Sequence, residues 1–187
     1  MVQSAWGGTE ITSWVKNTSS SCLNASGTGP QTTGGGGGPD FGALWNGMVA
    51  PFINSTIFGA LWYQGENNVH DCVGAGRRDS GIDACGNVQT KTGYACSTHN
   101  LITSWREQWS AVPDTTSSMF PFGIVSLAAG TSEGHNKNMG NFRHAQTASY
   151  GFLPGPAGSG LESTFIAQGY DAGDPGTRAK GFGKQSF

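Results

Sequence analysis

The chain has 187 residues, enough for one domain with a packed core; 36% of them are hydrophobic and only 12% are charged. That balance excludes a charge-rich disordered chain. A formal net charge of −2 with no basic run argues against nucleic acid or an anionic membrane surface as partner. No apolar stretch approaches the roughly 20 residues of a membrane-spanning helix.

Taken from the N-terminus, "MVQSAWGGTEITSW" lacks the charged and apolar regions of a signal peptide. "MVQSAW" reads as the tail of a strand, followed by Gly7 and Gly8. Two glycines after a strand permit a tight turn and close approach by a ligand, with amides that can meet an anion or a developing oxyanion. The spaced glycines and Lys-Ser/Thr pair of a phosphate loop are missing. Residues 17–40 are low in complexity, end on "TTGGGGGPD" and read as a flexible, exposed loop. Asp40 is placed to cap the next segment, in which Phe41, Leu44, Trp45, Met48, Val49 and Phe52 mark a helical apolar face that Pro51 should end or distort.

"STIFGALWY" is a continuous apolar run of strand length, and such a run predicts a strand covered on both faces. It stops abruptly on Gln64, Gly65, Glu66, Asn67 and Asn68. Residues 67–98 follow as a polar, cysteine-containing insertion. "THNLITSWREQWS" predicts a helix capped by Thr98, with Leu101, Ile102, Trp105 and Trp109 on one side. "FPFGIVSLAA" predicts a second buried strand, "NFRHAQTASYGF" a short helix and "STFIAQGYD" a third strand. Alternation of this kind predicts a parallel sheet with helices on both faces, and ligands in such sheets sit beyond the carboxyl ends of the strands. Three polar clusters lie at those ends: residues 4–9, 64–68 and 171–177.

Cysteines stand at 22, 72, 85 and 96, the last three within the 67–98 insertion. A staple from Cys72 or Cys85 to Cys96, with Cys22 as fourth partner, is expected, and four cysteines leave three pairings open. Zinc is disfavoured because no C-x2-C spacing occurs. The cysteines, with N-x-S/T sequons at Asn17, Asn24 and Asn54, point to the secretory route, secreted or lysosomal, for a glycoprotein. The missing signal peptide then implies that the natural N-terminus lies elsewhere.

"QSAWGGTEITSW", "LWNGMVAPFINSTIFGALWYQGENN", "FPFGIVSL", "FRHAQTASYGFLP" and "STFIAQGYDAGDP" together resemble the sialate O-acetylesterase family, carbohydrate esterases of the SGNH-hydrolase superfamily. The segments keep the family's order and span nearly the whole chain. The resemblance implies a flavodoxin-like three-layer α/β/α core with a mostly parallel sheet, here a single partial domain over residues 1–187. It implies hydrolysis of O-acetyl esters on sialic acids or related sugars by a serine nucleophile and a histidine base, with no metal or other cofactor. By position, Gly8 falls in the block that supplies an oxyanion amide. Gln64, Gly65 and Glu66 match the family's "QGE", where the glutamine is an oxyanion donor and the glutamate an acid near the histidine. Trp6, Asn67, Asn68, Asp171 and Asp174 are candidates to contact the sugar.

The same resemblance implies a nucleophile in a "GQSNM"-like block upstream of "SAWGGT" and a base in an "IHP"-like block after "DxGDP". Here "DAGDPGT" is followed by "RAKGFGKQSF", a divergent tail over 178–187, and no histidine follows His144. The chain is therefore expected to be a fragment lacking both residues, and inactive alone. Ser4 reads as an ordinary residue before the glycine turn and His144 as a packing histidine on a helix. His70, His99 and His135 read as surface residues. Of the six tryptophans, most fall on predicted apolar faces and are expected in the core, with Trp6 and Trp62 nearest a pocket. Loss of flanking elements should leave an open sheet edge and marginal stability.

Overall fold

The computed structural model describes residues 1–16, 21–25, 27, 39–72, 83–128 and 137–169. Asn17, His135, Asp171, Asp174, most of the 17–40 loop and the 178–187 tail lie outside them, as does the side chain of His70. Three strands, β1 (Ala60–Trp62), β2 (Phe122–Val125) and β3 (Thr164–Ala167), form a parallel sheet in the order β1-β2-β3. Helix α1 (Gly93–Ser110) lies between β1 and β2 in the chain, and α2 (Lys137–Gln146) between β2 and β3. The alternation of an α/β fold is thus realised.

The register explains how the sheet is used. Ala60, Phe122 and Thr164 form one row, Leu61, Gly123 and Phe165 the next, and Trp62, Ile124 and Ile166 the third. Successive residues of a strand point to opposite faces. The first and third rows meet the core, with Phe122 and Ile124 fully buried, and α1 and α2 pack against each other on that side. The middle row points the other way: Leu61 is 70% and Phe165 46% exposed. Continuous apolarity predicted cover on both faces; among the described residues only one face is covered. Sheet and one helical layer are two of the three layers of an α/β/α core.

That core is aromatic. Trp62 stands edge-on to Trp14 at 5.8 Å and to Trp105 at 5.9 Å, and Trp105 reaches Phe122 at 5.8 Å. Trp45 packs on Trp105 and Trp109, and Trp109 on Phe120. Edge-to-face pairing of this kind adds about 0.5–1.5 kcal/mol per pair beyond area burial. Five of the six tryptophans are therefore core residues, Trp62 among them, and Trp6 alone is exposed.

Arg106 of α1 is buried beneath this cluster. It donates to the carbonyls of Phe120, Gly160, Glu162 and Ser163 and lies 5.8 Å from the Phe120 ring centre. The arginine ties α1 to the chain entering β2 and β3. Burial lowers its pKa, opposed by the negative charge of Glu162.

Several sequence expectations are corrected. Residues 1–6 form no strand. The segment predicted as a helix after Asp40 winds as a π-helical turn, Trp45–Val49, followed by a 3-10 turn, Ala50–Phe52. Pro51 has no N–H to continue the ladder, and the chain tightens there. Leu44, Trp45 and Val49 are buried as expected, whereas Phe52 is exposed.

Helix α1 begins at Gly93, leaving Thr98 within the helix instead of at its cap. The early start has tertiary anchors. Leu23 pairs with Thr92 in an isolated parallel bridge, and Cys22 is disulfide-bonded to Cys96 in the first turn. Such anchors nucleate a turn that propensity alone leaves unmade. The second disulfide joins Cys72 to Cys85, so neither Cys72 nor Cys85 reaches Cys96 as the staple predicted. Cys96 is buried in the first turn of α1, bonded to Cys22 beside the Leu23–Thr92 bridge.

Candidate functional site

The chain leaves β1 through Tyr63 into the Gln64–Asn68 turn, at the carboxyl end of the strand. Gly65, at φ +149°, makes the turn. A Cβ there would sit 2.4 Å from the Phe142 ring of α2, so only glycine lets the two elements close. The Gly65 carbonyl accepts from the N–H groups of Asn68 and Val69, which locks the turn.

Three hydrogen bonds stitch this turn to the N-terminal glycine turn more than fifty residues away. Asn67 Nδ2 donates to the Gly8 carbonyl at 2.6 Å. Gln64 Nε2 donates to the Thr9 carbonyl at 2.9 Å. Asn68 Oδ1 accepts from the Ile11 N–H at 3.0 Å and from Gln64 Nε2 at 2.9 Å. Thr9 completes the frame, donating to the Trp6 carbonyl and accepting from Trp14 Nε1. The acceptors Thr9 O and Asn68 Oδ1 fix which end of the Gln64 amide is nitrogen.

Gln64 is only 8% exposed and Asn68 fully buried, and both Gln64 amide hydrogens go into this frame, so Gln64 is not placed as the oxyanion donor, nor Asn68 as the sugar contact, expected from sequence. Its Oε1 and backbone carbonyl accept from the Tyr94 hydroxyl, at 3.1 and 3.2 Å. Gln146 of α2 donates to the same backbone carbonyl and to Val125 O, and accepts from the Leu127 N–H. It thereby ties the end of β1 to the end of β2. Burial, foremost, and the charge of Glu66 push the Tyr94 hydroxyl well above the usual tyrosine range. Tyr94 therefore stays a neutral donor.

Six of the sequence candidates thus meet at one place: Gly8, Gln64, Gly65, Glu66, Asn67 and Asn68. Glu66 is half-buried. Gly8 is exposed at φ +75°, and its N–H has no acceptor among the described residues. Trp6 is 59% exposed beside the glycine turn. Ser4 donates its hydroxyl to the Met48 carbonyl. His99, read from sequence as a surface residue, is half-buried with Nε2 at 2.8 Å from the Ser159 carbonyl. The His144 ring packs beside Gly151.

Sequence reading missed Tyr94 and Gln146. Gln146 left a signal, since it lies four residues after Phe142 and seven after Met139, on the buried face of α2. A polar residue on an apolar face requires partners. Tyr94 left none, because it stands in a polar, glycine-rich stretch that reads as loop.

An arrangement of this kind offers an exposed backbone N–H at Gly8 and a carboxylate at Glu66, on a turn that hydrogen bonds hold rigid. It suits recognition of a carbonyl oxygen that gains negative charge.

No family model matches the chain. It is 30% identical over 177 residues to the sialate O-acetylesterase of Homo sapiens, covering 93% of this chain and 30% of that protein. The figures for the Pongo abelii protein of the same name are the same. The Rattus norvegicus sialate O-acetylesterase is 33% identical over 133 residues, 70% of this chain and 21% of that one. The chain thus spans about 30% of the length of the first two relatives. In structure it is similar to a carbohydrate acetylesterase from Xanthomonas citri, with a TM-score of 0.56 at 23% identity over 91% of this chain and 30% of that one. That likeness supports the α/β fold. Over 93% of its length, this chain is a relative of the sialate O-acetylesterases.

Proposed function

We propose that this chain forms the oxyanion-side wall of a carbohydrate esterase of the sialate O-acetylesterase type, acting on O-acetyl esters of sialic acids or related sugars. The observation that carries the reading is the stitching of the glycine turn to the Gln64–Asn68 turn at the end of β1. In this chemistry a serine hydroxyl attacks the acetyl carbonyl. A histidine takes the serine proton and returns it to the departing sugar oxygen. The carbonyl oxygen becomes an oxyanion, which the Gly8 N–H meets. Gln64 and Asn68 hold Gly8 and Glu66 in register, and Glu66 supplies the acid near the histidine. Asn67 and Trp6 flank the sugar; Asp171 and Asp174, candidates for the same role from sequence, lie outside the described residues.

Residues 1–187 alone are proposed to be catalytically silent. Ser4 is bonded to the Met48 carbonyl and His99 to the Ser159 carbonyl, so neither is held as a nucleophile–base pair at this wall. The serine and histidine are those that the family resemblance assigns to segments without counterpart in these 187 residues. The test is acetate release from an O-acetylated sialoside and from p-nitrophenyl acetate by the purified chain. No release above buffer is expected; an enzyme-like rate that Gln64→Ala abolishes would overturn the silent-chain reading.

A second reading is a carbohydrate-binding module without catalysis, favoured by the exposed Trp6 beside an open glycine turn. Heat on calorimetric titration with O-acetylated sialosides, without hydrolysis, is its signature. For either reading the two disulfides support a secreted or lysosomal setting. Among the described residues no helix is long and apolar enough to cross a membrane.

A further inference from the structure

The asparagines of two of the three sequons are described, and the fold treats them differently. Asn24 is half-buried and sits two residues beyond Cys22, whose disulfide and the adjoining Leu23–Thr92 bridge bind that segment to the start of α1. Its backbone carbonyl accepts from Gly27. Asn54, Ser55 and Thr56 are all exposed. The Phe52 carbonyl accepts from the Ser55 N–H at 2.9 Å, closing a turn with Asn54 at its third position. The side chain of that position is not needed by the turn or by the core. The third residue of the sequon is threonine, and the middle one is not proline, as the motif requires.

What surrounds Asn54 gives a bulky polar group something to do. Phe52 precedes it by two residues and is partly exposed, while Phe58, four residues on, is 90% exposed. The same segment leads directly into β1, which among the described residues pairs with β2 alone. Exposed aromatic side chains of this kind invite association with another chain. A glycan at this turn is well placed to shield both.

We propose that Asn54 is an asparagine-linked glycosylation site, and that its glycan shields the apolar approach to β1. The donor is an oligosaccharide carried on a polyprenyl diphosphate. The bond from the anomeric carbon to the diphosphate oxygen breaks, and that oxygen leaves with the electron pair. A new bond forms from the anomeric carbon to Asn54 Nδ2, which gives up one proton to the transferase and then to solvent. Asn54 thus ends as a substituted amide, uncharged as before.

The proposal rests on the secretory setting inferred above, and its test removes that dependence. The full 187-residue chain is directed into the secretory lumen of a eukaryotic cell by a cleavable leader and recovered from the medium. Amide-specific deglycosylation, which converts an occupied asparagine to aspartate, then maps the site by mass spectrometry. The expected result is conversion at Asn54, with loss of one glycan's mobility shift in Asn54→Gln and in Thr56→Ala. Thr56→Ser should retain the shift, as should Asn24→Gln. Recovered chain with unmodified Asn54, or a shift unchanged in both Asn54→Gln and Thr56→Ala, would overturn the proposal. Hydrolytic activity does not enter the measurement, so failure of the esterase reading would leave this outcome intact.

Discussion

Asn68 shows how much of the candidate site depends on single atoms. It is fully buried, and its Oδ1 receives both the Ile11 N–H and a Gln64 amide hydrogen. Removing it leaves two buried donors without an acceptor, each costing about 1–3 kcal/mol. We therefore expect Asn68→Ala to destabilise the fold by about 2–4 kcal/mol, read as a lowered urea midpoint with unchanged slope. Tyr94 makes a prediction of a different kind. Its hydroxyl is held neutral, with a folded pKa above the unfolded value of about 10. Its contribution is complete below that pH and is lost as pH rises above it, because the unfolded chain releases the proton first, at about 1.4 kcal/mol per pH unit. The difference in urea midpoint between the native chain and Tyr94→Phe should therefore shrink above about pH 10. At this scale the polar residues Gln64–Asn68 were legible because they interrupt an apolar run. Tyr94 was not, since its partner Gln64 lies thirty residues away and no local pattern joins them.

Among the elements, α1 is tied to distant segments by a buried arginine and a disulfide. Arg106 satisfies four carbonyls from the chain entering β2 and β3, and no neutral side chain replaces its fork of donors. Arg106→Met should cost about 3–5 kcal/mol in thermal or urea unfolding, and Arg106→Lys should recover only part of it. The disulfides divide by the loops they close. Cys22–Cys96 spans 74 residues and Cys72–Cys85 spans 13, which corresponds to about 4.5 and about 3 kcal/mol of loop entropy. The double alanine variant at Cys22 and Cys96 should therefore lower the urea midpoint more than the one at Cys72 and Cys85. Helix and strand identities were legible for "ITSWREQW", "FGIV" and "TFIA", where apolar spacing decides. The start of α1 was not, because it is set by Leu23 and Cys22 from a distant segment. The N-terminal strand failed for the same reason in reverse: "MVQSAW" has strand-like composition, but no described strand pairs with it.

At the scale of the whole molecule, the sheet has one covered face and one on which Leu61 and Phe165 stand exposed. The parallel topology was legible from the β-α-β order. Which face carries the helices was not, because a continuous apolar run does not distinguish one covered face from two. If that face is open, Leu61→Lys should change stability by no more than about 0.5 kcal/mol, and it should raise the concentration at which the chain begins to associate. A loss of about 2 kcal/mol or more would instead show that Leu61 is packed.

The central claim, that the glycine turn and the Gln64–Asn68 turn together recognise an acetyl ester, meets its most direct test in the backbone amide resonance of Gly8. The purified chain would be titrated with an O-acetylated sialoside and, separately, with its de-O-acetylated counterpart. A saturable shift of the Gly8 N–H that requires the acetyl group, and that Asn67→Ala weakens, is the predicted result. No acetyl-dependent shift at Gly8 at millimolar ligand, with the fold intact, would contradict it.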